Sequence, residues 1–278
     1  MLKRLLVLAF ALALLPGLAV AQERRASHCI AIADAAPGIE FLHQASFNTP
    51  VEDPFSVRIS YIDHSMFLIQ TADGLDIVTD YTGFIGATRL VPDVVTMNNA
   101  HGSHWTASPD PRIPHVLPGW RDGEGPREHR LEIGEVLIRN VTTDIRSREF
   151  DGSRIRDNNS IFVFEAAGLC IAHLGHLHHE PTEQQYAALG RIDVLMAAVD
   201  GGLTVDLPTM LRIVERLKSS VILPMHWFSG GSLERFLAGV GGDFAIRRDG
   251  VSELTVGLRD LPSRPTVIVL EPRFLSDR

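Results

Sequence analysis

Three short apolar runs in this chain end in histidine. DVVTM (93–97) leads into NNAHGSH, with His101 and His104. LCIA (169–172) leads into HLGHLHH, with His173, His176, His178 and His179, and VILPM (221–225) leads directly into His226. Seven of the 12 histidines therefore sit at the carboxyl ends of three strand-like segments that are distant in sequence. Side chains as far apart as 101 and 226 converge only if a sheet sets those strand ends side by side, because loops on a rigid scaffold are where such residues meet. A single histidine at a strand end is most often a hydrogen-bonded loop residue. The joint pattern AHGSH, AHLGH and PMH points instead to one shared metal site. Imidazole suits zinc, copper, iron and nickel, its second nitrogen being oriented by a nearby acceptor.

The remaining segments supply the scaffold. VRISYI (57–62), MFLIQ (66–70), LDIVT (75–79), EVLIRNVTT (135–143) and SIFVFE (160–165) are rich in β-branched and aromatic residues and bounded by turn formers, which predicts strands. The Pro- and Gly-dense stretch 107–129 reads as an extended surface loop, and Asp157, Asn158 and Asn159 as a turn before SIFVFE. PTEQQYAALG (181–190) predicts a short helix, with Thr182 as its cap and Gly190 as its stop. IDVLMAAVDGG predicts a buried strand and a turn. LPTMLRIVERLKSS (207–220) predicts an amphipathic helix with Pro208 in its first turn, and SLERFLAG another helix. A β-rich half followed by alternating α and β elements implies packed sheets covered by helices, in a single domain spanning 22–278.

Residues 1–21 belong to a different category. MLKRLLVLAFALALLPGLAVA has a basic start, an apolar run and an Ala-Val-Ala end, which is the pattern of a signal peptide cut after Ala21. An uncleaved anchor fits less well, since the run is short for a span. The expectation is a periplasmic or secreted protein with no stable membrane insertion after cleavage. Without Lys3 and Arg4 the chain carries 24 basic and 34 acidic residues, a net charge of −10, which argues against nucleic acid as a partner and leaves a small-molecule substrate. Cys29 and Cys170 are the only cysteines; an oxidising compartment permits a disulfide, and a buried free thiol at Cys170 fits the apolar strand equally well.

The order YIDHSMFLIQTADGLDIVTD, NNAHGSH, NNSIFVFEAAGLCIAHLGH, LGRIDVLMAAVDGG and VILPMHWF, running from Tyr61 to Phe228, resembles the metallo-β-lactamase superfamily, in particular its lactonase-like and phosphodiesterase-like branch. The resemblance implies an α/β fold, a four-layer αββα sandwich with a metal site at one edge of its two sheets. The family signature H-x-H-x-D-H aligns with Asn99, Ala100, His101, Gly102, Ser103 and His104. Its first histidine is thus Asn99 here and its aspartate Ser103. The later ligand histidine falls on His173, the metal-bridging aspartate on His176 and the final histidine on His226. The metal set implied is His101, His104, His173, His176 and His226, all imidazole. A neutral imidazole offers one lone pair and does not bridge, so one divalent ion is expected rather than two, zinc first, with copper, iron or manganese as the other candidates. Asp80, His64, Asn99 and Ser103 would stand behind the ligands, Asp80 orienting a histidine. Asp200 and Asp63 are the candidates for proton transfer. Trp105, Trp120 and Trp227 line a pocket or belong to the core. The function implied is an exported hydrolase of an ester, lactone, amide or phosphodiester. A metal-redox protein and a non-catalytic metal-binding accessory protein are the alternatives.

Overall fold

The computed structural model describes residues 25–31, 46–147, 152–228 and 230–277. The proposed leader and its cut after Ala21 lie outside the described residues. The N-terminal half contributes α1 (His28–Ala31), β1 (Ser56–Asp63), β2 (Met66–Thr71), β3 (Asp76–Val78), β4 (Gly86–Ala87), β5 (Val94–Met97), β6 (His115–Pro118) and β7 (Arg130–Ile133). Next come β8 (Val136–Arg146), β9 (Arg154–Ala166), β10 (Leu169–His173), α2 (Glu183–Leu189), β11 (Val194–Ala198), α3 (Leu207–Leu217), β12 (Val221–Met225) and α4 (Gly230–Gly239). The chain closes with β13 (Ala245–Arg247), β14 (Glu253–Gly257), β15 (Thr266–Ile268) and β16 (Leu275–Ser276).

One sheet runs β14-β1-β2-β3-β5-β6 and the other β13-β15-β12-β11-β10-β9-β8-β7; β16 pairs with β4. The sheets pack face to face on a core that includes Ile59, Phe67 and Ile77 from the first and Phe162, Ile171, Met196 and Leu223 from the second. Alternation explains why the central strands are apolar throughout. On β11, Val194 and Met196 face the first sheet, while Leu195 and Ala197 face the helices. Against that outer face lie Tyr186 and Leu189 of α2, Met210, Ile213 and Val214 of α3, and Leu233 and Phe236 of α4. The outer face of the six-stranded sheet is covered, among the described residues, by extended segments carrying Ile85, Ile113, Leu275 and the flanks of Trp105 and Trp120.

The helices obey their caps. Thr182 accepts from the Gln185 N–H in a capping box, and Gly190 ends α2 at φ +72°. A Cβ at Gly190 would fall 2.4 Å from the Cys29 carbonyl oxygen, so the close approach of that segment also needs glycine. Asp206 caps α3 through the Thr209 N–H.

Two expectations for non-regular structure are corrected. Asp157, Asn158 and Asn159 lie inside β9, where cross-strand bonds engage two of them: Asn159 donates to Thr143 Oγ1 (2.8 Å), and Asp157 accepts from Thr142 Oγ1 (2.9 Å). The surface stretch 107–129 contains β6, an edge strand parallel to β5, where proline is tolerated. The open cysteine question is also answered. Cys29 and Cys170 form a disulfide, Cα–Cα 5.8 Å, which ties α1 to the start of β10.

Candidate metal centre

Parallel pairing decides where the site lies. β3 and β5 run parallel in one sheet, and β10, β11 and β12 in the other, so their carboxyl ends share an edge. From those ends project Asp80, the 98–104 loop, His173 and the loop to His176, Asp200, and His226. The β1–β2 turn adds His64 and Ser65.

His104 sits at the middle and is fully buried. Its Nδ1 lies 2.5 Å from Asp80 Oδ2 and 3.1 Å from Ser65 Oγ. His226 is equally buried, and its Nδ1 lies 3.1 Å from Asp200 Oδ1. At His104 the short contact with Asp80 places the proton on Nδ1 and leaves Nε2 with its lone pair, while Asp200 stands within ion-pair distance of His226 Nδ1. The two Nε2 atoms then face each other across 3.2 Å, and His176 Nδ1 comes within 2.9 Å of His104 Nε2. Ring nitrogens set this close need a proton or a metal ion between them. The donor set therefore fits a metal ion on an observation of its own geometry. Among the described residues three groups offer ligand atoms all within 4.8 Å of one another: His28 with Cys29 and Cys170, whose sulfurs are joined in the disulfide, and, at this edge, His64, His104 and His226, and His101, His104 and His176.

Several of these imidazoles are pushed toward the neutral form, which is the form that ligates. Burial, with the neighbouring rings of His226 and His101, pushes His104 well below the usual range. Burial and His104 do the same to His176. Burial and the charge of His226 lower His64 to about 3, and burial with Arg146 lowers His178 to about 4. Burial raises Asp80 to about 6, tempered by His173 and the Asn98 N–H. Burial also opposes charge on Asp200, but bonds from His226 and Thr204 outweigh it and hold the carboxyl well below the carboxylate range.

The backbone is bent to the same end. His64, Asp80 and His226 all adopt positive φ, +45°, +46° and +58°. Each such residue costs about 1–2 kcal/mol and persists where surrounding bonds over-determine it. Here the His64 carbonyl accepts from Tyr61 Oη (2.6 Å) and from the His226 N–H (2.7 Å), and Asp80 accepts from the Asn98 N–H (3.1 Å). Gly175, at φ +63°, has no room for a Cβ against the Asn98 side chain.

His173, expected among the ligands, is turned inward. Its Nε2–H donates to the Ser65 carbonyl (2.7 Å), and its Nδ1 accepts from the Gly175 N–H (3.2 Å) and lies 3.3 Å from Asn98 Nδ2. With both nitrogens engaged it joins neither group and instead fixes the loop behind His104. Asp200, expected as a proton-transfer group, accepts from the N–H of Gly202 and of Thr204 and from Thr204 Oγ1, with only 2% of its side chain exposed. It orients His226 rather than serving as an open base. Asp63 is exposed at the end of β1, and among the described residues no hydrogen bond joins it to the imidazoles. Asn99 donates to the Asn158 carbonyl (3.1 Å), and Ser103 Oγ lies 3.2 Å from His101 Nδ1. Asp80 does orient a histidine, namely His104. Trp105 and Trp120 meet edge to face at 5.6 Å beside the outer core, and Trp227 packs against both faces of the eight-stranded sheet. The sequence reading set His64 behind the site. Its place in an ion-sized group depends on the β1–β2 turn, and the only sequence signal was a histidine at that turn.

A two-sheet scaffold whose strand ends gather neutral, carboxylate-backed imidazoles defines a metal-site α/β sandwich. The beta-lactamase superfamily domain model matches residues 58–226, more than half of the chain and the whole span from β1 to His226. The chain belongs to the metallo-β-lactamase superfamily, a fold family of metal-dependent hydrolases that bind divalent ions. It is 22% identical over 195 residues to the UPF0173 protein of Pyrococcus abyssi, covering 65% of this chain and 89% of that one. A solved structure from Thermotoga maritima, assigned to the Zn-dependent hydrolases of the superfamily, superposes with a TM-score of 0.54 at 24% identity, covering 78% of this chain and 100% of the other. A possible metal-dependent hydrolase from Veillonella parvula gives 0.51 at 14% identity, covering 72% and 98%. At these identities the structural likeness speaks for the fold.

Proposed function

We propose that this chain is an exported metal-dependent hydrolase with a single divalent ion, zinc first among the candidates, acting on an ester, lactone, amide or phosphodiester of a small molecule. The observation that carries the reading is the pair of lone-pair nitrogens, His104 Nε2 and His226 Nε2, facing each other 3.2 Å apart. A divalent ion held there would polarise a carbonyl or phosphoryl oxygen and acidify a water. Asp80 keeps the proton of His104 on the far side, and the Asp200 carboxylate stands 3.1 Å from His226 Nδ1. His104 has one outward nitrogen to give, and the positions that would carry bridging or charged carboxylates hold His176 and Ser103, so one ion suits the set better than two. Phe228 and Leu203 stand exposed on the loops that follow His226 and Asp200, and the Phe228 ring lies 4.9 Å from that of His64. Apolar side chains beside a polar centre suit a small organic substrate. Export is supported by the leader-like residues 1–21 and by the Cys29–Cys170 bond, a link that persists in oxidising compartments.

Elemental analysis of protein purified from the exported fraction without added metal tests the reading. About one zinc per chain, with turnover of one of these substrate classes, is the expected result. No metal uptake even on reconstitution overturns it. The all-imidazole donor set favours a second reading, a copper or iron redox protein. It gains if analysis finds copper or iron, an electron paramagnetic resonance signal appears, and hydrolysis is absent.

A further inference from the structure

The geometry points to His64 as a direct metal ligand. We propose that its Nε2 replaces the imidazole that this chain lacks at Asn99, and that the ion position is bounded by His64, His104 and His226. The assignment rests on the metal-hydrolase reading above and says which of the two imidazole groups holds the ion.

Four observations distinguish that group from the one formed with His101 and His176. First, His64 Nε2 is buried and, among the described residues, meets no hydrogen-bond partner, although its ring centroid lies 3.9 Å from that of His226. A buried ring nitrogen left without a partner is unfavourable unless something outside the protein's own groups fills the gap. Second, the backbone at His64 takes a strained left-handed conformation, and two donors on its carbonyl, Tyr61 Oη and the His226 N–H, pin it there. The His226 N–H thus fixes one proposed ligand relative to another. Third, Asp80 stands behind His104, which the two groups share, but only this group has a second carboxylate, Asp200 at 3.1 Å from His226 Nδ1. His101, by contrast, is exposed and its Nδ1 lies beside Ser103 Oγ. Fourth, Asn99, at the place of the missing histidine, is 5% exposed and turned away, its amide donating to the Asn158 carbonyl. The centre has shifted from the β5 loop toward the β1–β2 turn.

Cobalt(II) is the probe, since its visible spectrum reports donor set and coordination number. The full chain is stripped of metal and titrated with cobalt as wild type, His64→Asn, His64→Gln and His101→Asn. Asparagine tolerates the left-handed backbone, and circular dichroism with a melting curve confirms that each variant folds. The expected result is at least a tenfold loss of cobalt affinity and an altered visible band in both His64 variants, against less than a threefold change in His101→Asn. Ring protons of His64 in the cobalt-loaded wild type should show large metal-induced shifts in the NMR spectrum, which requires no substitution. Wild-type affinity and spectrum in the His64 variants, or unshifted His64 protons, overturns the assignment. Equal losses in the His64 and His101 variants overturn the choice of position. A wild-type chain that takes up no cobalt overturns the functional reading itself, and this assignment with it.

Discussion

Cys170 and His173 lie three residues apart on β10 and anchor two regions built on opposite rules. Around Cys170 the polar groups are matched. The Glu165 carboxylate, 1% exposed, receives Arg139 Nε (2.8 Å), Ser27 Oγ (2.6 Å) and the His28 N–H (3.0 Å). Arg139 spends its other donors on the Ala188 and Leu189 carbonyls, and Asp193 accepts from the Cys170 N–H. Around His173 the polar groups are left wanting: lone pairs face each other, His64 Nε2 is orphaned, and three residues hold left-handed backbone. One end of the sandwich is finished without a ligand; the other is arranged as though a ligand belongs to it. The difference teaches how to tell a structural cluster of charges from a functional one. Both are buried and rich in titratable groups, but only one sets several ring nitrogens face to face and, among the described residues, leaves His64 Nε2 without a partner.

The comparison can be broken at several points. The largest effect is expected for His104→Ala, which should reduce metal retained through purification to background by elemental analysis; wild-type metal content in that variant would remove the basis for the contrast. Next comes Glu165→Ala, which strands the Arg139 guanidinium in the interior. It should destabilise the fold by about 3–5 kcal/mol in denaturant titrations while metal stoichiometry stays at the wild-type value. Loss of metal there would mean the two ends are not independent. Removing the crosslink as Cys29→Ser with Cys170→Ser should cost about 2–4 kcal/mol of stability, again with metal content kept. Asp200→Asn should weaken metal binding about tenfold to a hundredfold, measured by competition with a chelator, and also lower the melting temperature of the metal-free chain, because the carboxylate accepts from Gly202 and Thr204. The smallest effect concerns acid. Burial works against charge on Glu165, but the bonds from Arg139 and Ser27 outweigh it and hold the carboxyl below its ordinary value. A depressed carboxylate contributes stability above the unfolded value of about 4.3, and the contribution disappears as pH falls through the lower folded value. Glu165→Gln should therefore flatten the acid limb of the stability curve, and an unaltered limb would contradict the pairing described.

Much of this was legible in the sequence because its cause is local. The strands from Val57 to Met225 could be read from β-branched runs, and α2 from Thr182 and Gly190, since alternation and caps are properties of neighbouring residues. The gathering of histidines at one edge followed from their positions after strands. What could not be read is decided by partners far along the chain. Asn159 looked like a turn residue until Thr143 stood opposite it. His173 looked like a ligand, yet the Ser65 carbonyl, 108 residues away, takes its Nε2 proton. Asp200 looked free to move protons, but the turn it opens folds back on its carboxylate. The roles of His64 and His101 depend on which loop leans over His104, and no pattern of spacing carries that.

The residues that meet at the candidate centre are drawn from His64 near the start of the fold to His226 far along the chain, with Asp80, His104, His173 and Asp200 between. In time rather than in space, this means the centre is assembled late. During synthesis a chain lacking its last quarter has Asp80 and His104 in hand but no partner for His104 Nε2 across the sheet edge. An ion that arrives early finds scattered imidazoles of ordinary affinity. Only after β12 docks beside β11 does the His226 N–H reach the His64 carbonyl and close the turn. On the proposed reading, the complete ligand set exists only once the chain has reached His226 and β12 has docked.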